Sequence, residues 1–521
     1  MKKKLFPLVL LTILLWGAIV SAQPADRTAQ GEGLANRVVE HTLANGLTVL
    51  MVERHQTPII SFQVTYKVGS VNEHNGITGV AHLYEHMAFK GTERLGTTDY
   101  RQEKPILEAI EALQNEIALE EGKGGSANPE RLQMLRVKFK ALEEEAKQWV
   151  VNNELGGLYD RNGAAGFNAS TSRDVTSYVV SLPANRLPLW VAIESDRMAH
   201  TVLREFYKER DVVLEERRRS VETNPGGKLY EAFLATAFLA HPYGYPTIGW
   251  SSDVRNLSAT QTARFFKDYY TPNNTVIALV GDFKPAEVLP IIERSFGGIP
   301  PGPPSPRVVT VEPPQMGERR VEVEDEANPQ VVIGYHKPTF DHPDDPVFDV
   351  IDALLSDGRT SRLYKKLVEE KQIAIGVSTG SGSPGARFPN LFTISATPRA
   401  PHTTTELEAA IYEELERLKK EPPTDKELEK VITNTDAGLL RSLRSNGGLA
   451  GQIAYYQAVT GDWRYLLRNR DQIAKVTGAD VMRVAREYFT KQNRTVATLV
   501  KISPTEAPME KVLPVSKEIQ R

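Results

Sequence analysis

The chain has 521 residues, with 63 Lys and Arg against 66 Asp and Glu, a formal charge of -3 and no cysteine. That length allows roughly two to four domains with ample core. The balanced charge, with no basic block, argues against a nucleic-acid or anionic-membrane partner, and the missing thiols exclude disulfides and thiolate ligation, leaving nitrogen and oxygen to hold a metal.

The chain opens on Met1-Lys2-Lys3-Lys4, an apolar run from Leu5 to Val20, and the small residues Val20-Ser21-Ala22. This is the pattern of a cleaved secretory signal over 1–22, with Gln23 as the mature start. The run is short for a spanning helix and contains Pro7 and Gly17, so the expectation is export to a bacterial periplasm without a stable membrane anchor. A first domain over 37–299 begins with Asn45-Gly46 between strand-like runs, a hairpin signal. Ile60, Phe62, Val64, Tyr66 and Val68 then alternate with polar residues, predicting a strand with one buried face.

Next comes His82-Leu83-Tyr84-Glu85-His86. At about 3.6 residues per turn the two histidines share a helix face, and Glu85 projects from a neighbouring angle. Two imidazoles can grip one ion, and a catalytic divalent metal typically adds a third protein ligand and a water whose pKa it lowers to about 7. Glu85 stands where a general base is needed. Histidines one turn apart are often ordinary surface or core residues, but the three-residue pattern His-x-x-Glu-His is a known catalytic metal motif. Val80, Leu83 and Met87 keep helical spacing, and Gly91 is placed as a C-terminal cap.

Residues 101–152 predict an antiparallel helical hairpin inserted into this domain, from the spacing of Ile106, Ile110, Leu113 and Ile117 and of Leu132, Leu135, Phe139 and Leu142. Nothing in it is catalytic in type. After it, Asn168-Ala169 precedes an alternating strand. Such a strand at a sheet edge can pair with an extended peptide, with Asn168 bonding its main chain, and an ordinary turn and strand is an equally good reading of these residues. The third ligand is expected from a helix over 203–222. Glu209 and Glu216, seven apart, share a face there, whereas Glu215 points away. Glu216 is the chosen ligand and Glu209 a partner that orients the site. Glu194 competes, because surface helices are commonly rich in glutamate.

A Pro-rich run over 300–317 marks a linker, and 318–505 forms a second domain. Phe266 to Val280 and Ala485 to Val500 repeat a helix end, an Asn-containing turn and a strand in the same order, so two copies of one fold are expected. Only the first copy carries the histidines.

These residues together resemble the pitrilysin-type zinc metallopeptidases, the family of mitochondrial processing peptidase and insulin-degrading enzyme, over nearly the whole mature chain. The resemblance rests on His82 to His86, on Asn168-Ala169, on Glu209-Arg210-x-x-Val213-x-x-Glu216, on His241-Pro242-Tyr243-Gly244 and on the duplicated half. It implies an α+β fold of two homologous α/β-roll domains. It also implies Zn2+ on His82, His86 and Glu216, Glu85 as general base, and Asn168 and Ala169 holding the substrate backbone. In active members the metal-free half carries an arginine and, seven residues on, a tyrosine that reach the substrate; here Val368 and Ile375 stand in those places. Losing one such donor costs about a hundredfold or more in rate. The resemblance therefore implies a peptide-cleaving zinc endopeptidase whose Arg/Tyr pair comes from a separate homologous subunit, a homodimer being the other arrangement. A non-catalytic scaffold of the same fold and a metal-dependent hydrolase of non-peptide amides are the competing expectations.

Overall fold

A computed structural model describes residues 33–502. The expected signal peptide, the mature start at Gln23 and the last residues of the second domain lie outside the described residues. The fold is α+β, with one six-stranded and one five-stranded sheet of mainly antiparallel strands. Among the described residues no helix is long and apolar enough to cross a membrane.

The first sheet is built from β1 (Val38–Thr42), β2 (Thr48–Glu53), β3 (Ile59–Tyr66), β4 (Ala165–Thr171), β5 (Thr176–Pro183) and β6 (Thr275–Gly281). Their spatial order is β1-β2-β6-β3-β5-β4. The second has β7 (Arg319–Asp325), β8 (Gln330–Lys337), β9 (Ala374–Ser383), β10 (Asn390–Pro398) and β11 (Arg494–Lys501), in the order β7-β11-β8-β10-β9. Without β1 the two sheets have the same topology, down to the parallel pairs β2 with β6 and β7 with β11. The repeated segments seen in the sequence become the matching strands β6 and β11, each following a helix, Ala259–Tyr269 or Gly478–Tyr488. Residues 300–316 between the sheets hold no helix or strand.

The β1–β2 connection turns through Gly46 at φ 85°, which a side chain rarely adopts. β3 forms as the alternation predicts, but both of its faces are buried, so the expected solvent face is corrected. A helix from the other half, Asn446–Thr460, lies across β3 and β6. The polar side chains it covers bond one another, Ser61 to Ser181 at 2.8 Å and Thr65 to Ser177 at 3.0 Å. The exchange is reciprocal. The helix Pro225–Ala237 of the first half packs on β7 and β11, with Phe233 seated on bare Gly334, where an added Cβ would come within 2.5 Å of the ring.

The hairpin helices are Tyr100–Glu121 and Pro129–Lys147, capped by Asp99 and Asn128. Its base is fixed by a buried ion pair: Arg204 spans both carboxylate oxygens of Glu103 at 2.5 and 2.8 Å and also donates to the carbonyls of Lys90 and Thr92.

Candidate metal centre and its surroundings

The histidine helix runs Val80–Met87. Val80, Leu83 and Met87 are fully buried, and Tyr84 packs against Phe266 and Tyr270 at ring distances of 5.0 and 4.1 Å. Its N-terminus is held by buried Glu73, whose two oxygens accept from the backbone N–H groups of Gly79 and Ala81, both at 2.8 Å. Gly91 is not the cap. The helix ends at Met87 with Ala88 as its cap residue, and Gly91, at φ 99°, makes a separate turn whose room is limited by the carbonyl of Leu95.

The second helix, Phe206–Arg217, is shorter than the 203–222 expected, because residues Arg218–Glu222 loosen into a π-turn. It packs against the histidine helix. Across that contact the Nε2 atom of His82 lies 3.8 Å and that of His86 3.5 Å from the two oxygens of Glu216. One ligand atom from each of His82, His86 and Glu216 falls within 4.8 Å of the others, a spacing suited to one ion. Two imidazoles and a carboxylate are a donor set that suits zinc and other late divalent metals better than magnesium or calcium, which prefer oxygen.

Glu209 lies on the same helix face as Glu216 but reaches the far side of His86, with an oxygen 3.6 Å from Nδ1, and its other oxygen meets Lys90 Nζ at 2.5 Å. A carboxylate on the non-ligating nitrogen fixes ring orientation and tautomer. Glu194 is not part of the group: it is buried and takes hydrogen bonds from Tyr159 at 2.7 Å and from Arg197.

The two histidines differ electrostatically. Burial, followed by repulsion from His86, pulls His82 down to about 4, so its ring is neutral. Burial also lowers His86, but the bond to Glu209 and the charges of Glu216 and Glu85 outweigh it and leave the ring above its ordinary value. Glu85 is buried, which raises its carboxyl; a hydrogen bond from Thr171 and the nearby His86 partly offset that. The Thr171 hydroxyl donates to Glu85 Oε2 at 2.6 Å. Sequence reasoning missed this residue. The available signal was its place two residues after Ala169, on the same face of the strand.

β4 is the edge strand of the first sheet, and Asn168 on it is exposed. Asn168 also lines a cavity of about 470 Å3 with Glu85, His86 and Phe89, so the edge and the histidine helix share one opening. A larger cavity, about 580 Å3, lies between the hairpin and residues 201–211 and touches none of His82, Glu85, His86 or Glu216. In the second half, Val368 packs against the core of its own sheet and Ile375, 60 % exposed, lies in the edge strand β9. Neither offers a hydrogen-bond donor.

Comparison with known proteins gives consistent matches. The family described as "Insulinase (Peptidase family M16)" matches residues 48–113 and 147–250, and "Peptidase M16 inactive domain" matches 256–435. The break in the first match falls on the hairpin. The chain is 29 % identical over 467 residues to "Zinc protease PqqE" of Helicobacter pylori, covering 88 % of this chain and 91 % of that protein. It is 24 % identical to "Probable mitochondrial-processing peptidase subunit beta" of Schizosaccharomyces pombe, covering 88 % and 90 %. Among solved structures, a protease from Helicobacter pylori superposes with a TM-score of 0.74 at 28 % identity, covering 89 % of this chain and 99 % of that one.

Proposed function

The chain belongs to the M16 peptidase family, and from that premise we propose that it is a zinc-dependent endopeptidase acting on peptides or unfolded polypeptide segments. The observation that carries this reading is the convergence of His82, His86 and Glu216 next to a buried Glu85 that a hydroxyl holds in place. His82, His86 and Glu216 would hold the zinc, which when bound supplies a Lewis acid for the scissile carbonyl and a more acidic water. Glu85 accepts the proton of the attacking water and returns it to the leaving amine nitrogen. Thr171 keeps the Glu85 carboxylate aimed, and Glu209 keeps the His86 ring oriented. Substrate enters as an added strand on β4, its main chain bonded near Asn168 and Ala169.

We place the metal-bearing domain at 37–299, the linker at 300–317 and the metal-free domain at 318–505, and assign the protein to the periplasm on its N-terminal signal. Val368 and Ile375 leave the metal-free domain without an Arg/Tyr pair, so a second homologous subunit completes the site. The likeness to a peptidase subunit in Schizosaccharomyces pombe supports that division of labour. The non-catalytic scaffold is disfavoured because the metal group and Glu85 are intact, and the match to an inactive domain falls on residues that do not include them.

The test is hydrolysis of a quenched fluorescent peptide library by the mature chain, alone and with a homologous subunit bearing the Arg/Tyr pair. Activity that needs the partner, is lost on chelation and is lost in Glu85→Gln upholds the reading. Equal activity of the chain alone removes the partner requirement, and inertness of wild type with a verified partner returns the scaffold.

A further inference from the structure

A buried cation normally carries an anionic partner, because removing an unpaired charge from water is costly. Arg173 is an exception. It sits in the turn between β4 and β5, two residues beyond Thr171, and is only 7 % exposed. Among the described residues its one side-chain hydrogen bond runs from Nη1 to the hydroxyl of Thr247, and its Nε is buried without a partner. Two carboxylates are near enough to be felt, Glu73 and Asp174. Both are engaged elsewhere. Glu73 caps the histidine helix through both oxygens, and Asp174 takes Tyr243 on one oxygen and the backbone N–H groups of Ala386 and Arg387 on the other.

Arg173 lines a cavity of about 350 Å3 shared with His82 and Glu216 of the candidate metal group, with Thr171, and with Tyr230 on the helix Pro225–Ala237. That volume is at the small end of ligand pockets, roughly 300 to 1,000 Å3, and suits one side chain or chain end. Of the carboxylates in its wall, Glu216 belongs to the metal group and Glu231 is gripped by two nitrogens of Arg217. Arg173 is therefore the cation of this cavity with unused donors, and guanidinium is the group best shaped to take a carboxylate.

We propose that this cavity is a carboxylate subsite in which Arg173 holds an acidic side chain near the scissile bond or the free C-terminus of the substrate. The proposal rests on the peptidase reading and adds the substrate's chemistry to it. Tyr230, whose hydroxyl is 3.0 Å from Ser383 Oγ, stands at the rim as a second donor.

Binding without turnover tests it. The full chain carrying Glu85→Gln, supplied with zinc, is titrated with fluorescein-labelled peptides in matched pairs: Glu against Gln and Asp against Asn at positions flanking the cleavage site, and free acid against amide at the C-terminus. The acid member of one set binds at least about tenfold more tightly, the range of a hydrogen bond to a charged group. The set that shows it identifies the source. Adding Arg173→Gln brings the pair to parity while the amide peptides bind as before, and Arg173→Lys keeps part of the preference; melting temperatures of both variants check the fold. Equal binding of acid and amide, or a preference that survives Arg173→Gln, overturns the subsite. Turnover by the chain with native Glu85, assayed together with the homologous subunit that bears the Arg/Tyr pair, separates the two claims. Cleavage without carboxylate preference sinks only the subsite, whereas Arg173-dependent binding without any cleavage sinks the peptidase reading and keeps the subsite.

Discussion

Replacing Thr171 with valine keeps the shape of the side chain and removes the hydroxyl that donates to Glu85. A hydrogen bond to a charged group is worth about 1.5 to 3 kcal/mol, or roughly 1 to 2 units of carboxyl pKa. Glu85 is already pushed up by burial, and the Thr171 bond acts against that push. Without it the carboxyl rises further, so the base is protonated at a higher pH. The acid limb of kcat/KM for a fluorescent peptide moves up by about 1 pH unit or more. On the plateau, where Glu85 is ionised in both proteins, only the loss of aim remains, and kcat falls by about tenfold with little change in KM. Thr171→Ser restores both. The reasoning is refuted if Thr171→Val leaves the limb and the plateau where they were, or if only KM changes.

Arg204→Met strands a buried Glu103 and lowers stability by about 3 to 5 kcal/mol in chemical denaturation, while Arg204→Met with Glu103→Leu recovers most of it. Zinc raises the melting temperature and a chelator reverses this, but His82→Ala abolishes the response; an unchanged response in that variant would remove His82 from the ligand set. His241 is buried and pulled down to about 4 by that burial, with its Nδ1 accepting from the N–H of Tyr243. Its folded value lies below its unfolded one, so its contribution is fully present above about pH 6.5 and is lost as pH falls through 4; it amounts to at most about 3 kcal/mol, less after solvent screening. His241→Asn keeps an acceptor and flattens the melting temperature over that window. Tyr243→Phe leaves the N–H of Phe388 short of an acceptor and that of Arg387 with Asp174 alone, costs about 1 to 3 kcal/mol by denaturation, and lowers peptidase activity with the metal still bound.

The histidine helix was legible because its signal is local: two histidines one turn apart among apolar residues at helical spacing. Glu216 was separable from Glu215 by the same periodicity, but not from Glu194. Only the fold shows that Glu194 serves Tyr159 and Arg197 instead. The buried polar face of β3 was not legible. Ser61, Gln63 and Thr65 have the alternation of a solvent face, and what covers them is a helix nearly 400 residues away in sequence. Thr171 is hard to find for a similar reason, since a strand threonine is commonplace until its hydroxyl is seen on Glu85. Gly91 does adopt the positive φ of a helix-capping glycine, but in a separate turn four residues beyond the helix end at Met87.

Lacking the arginine and tyrosine, the metal-free half still has a physical hold on the chemistry. The connection between β9 and β10 reaches the first half, where Asp174 accepts from Ala386 and Arg387, and the Tyr243 hydroxyl accepts from Arg387 and Phe388 while donating to Asp174 at 2.6 Å. Asp174 and Arg173 belong to the tight turn that directly follows Thr171, and Thr171 and Arg173 are the residues that meet Glu85 and the cavity beside the metal group. A shift of that connection therefore moves the turn, and with it the hydroxyl that donates to Glu85, the proposed general base. The two helices exchanged between the sheets oppose such a shift, because separating the halves would expose β3, β6, β7 and β11 together. The metal-free half is thus a support for the geometry of the site, and under the proposed reading the donors it lacks would come from a partner subunit.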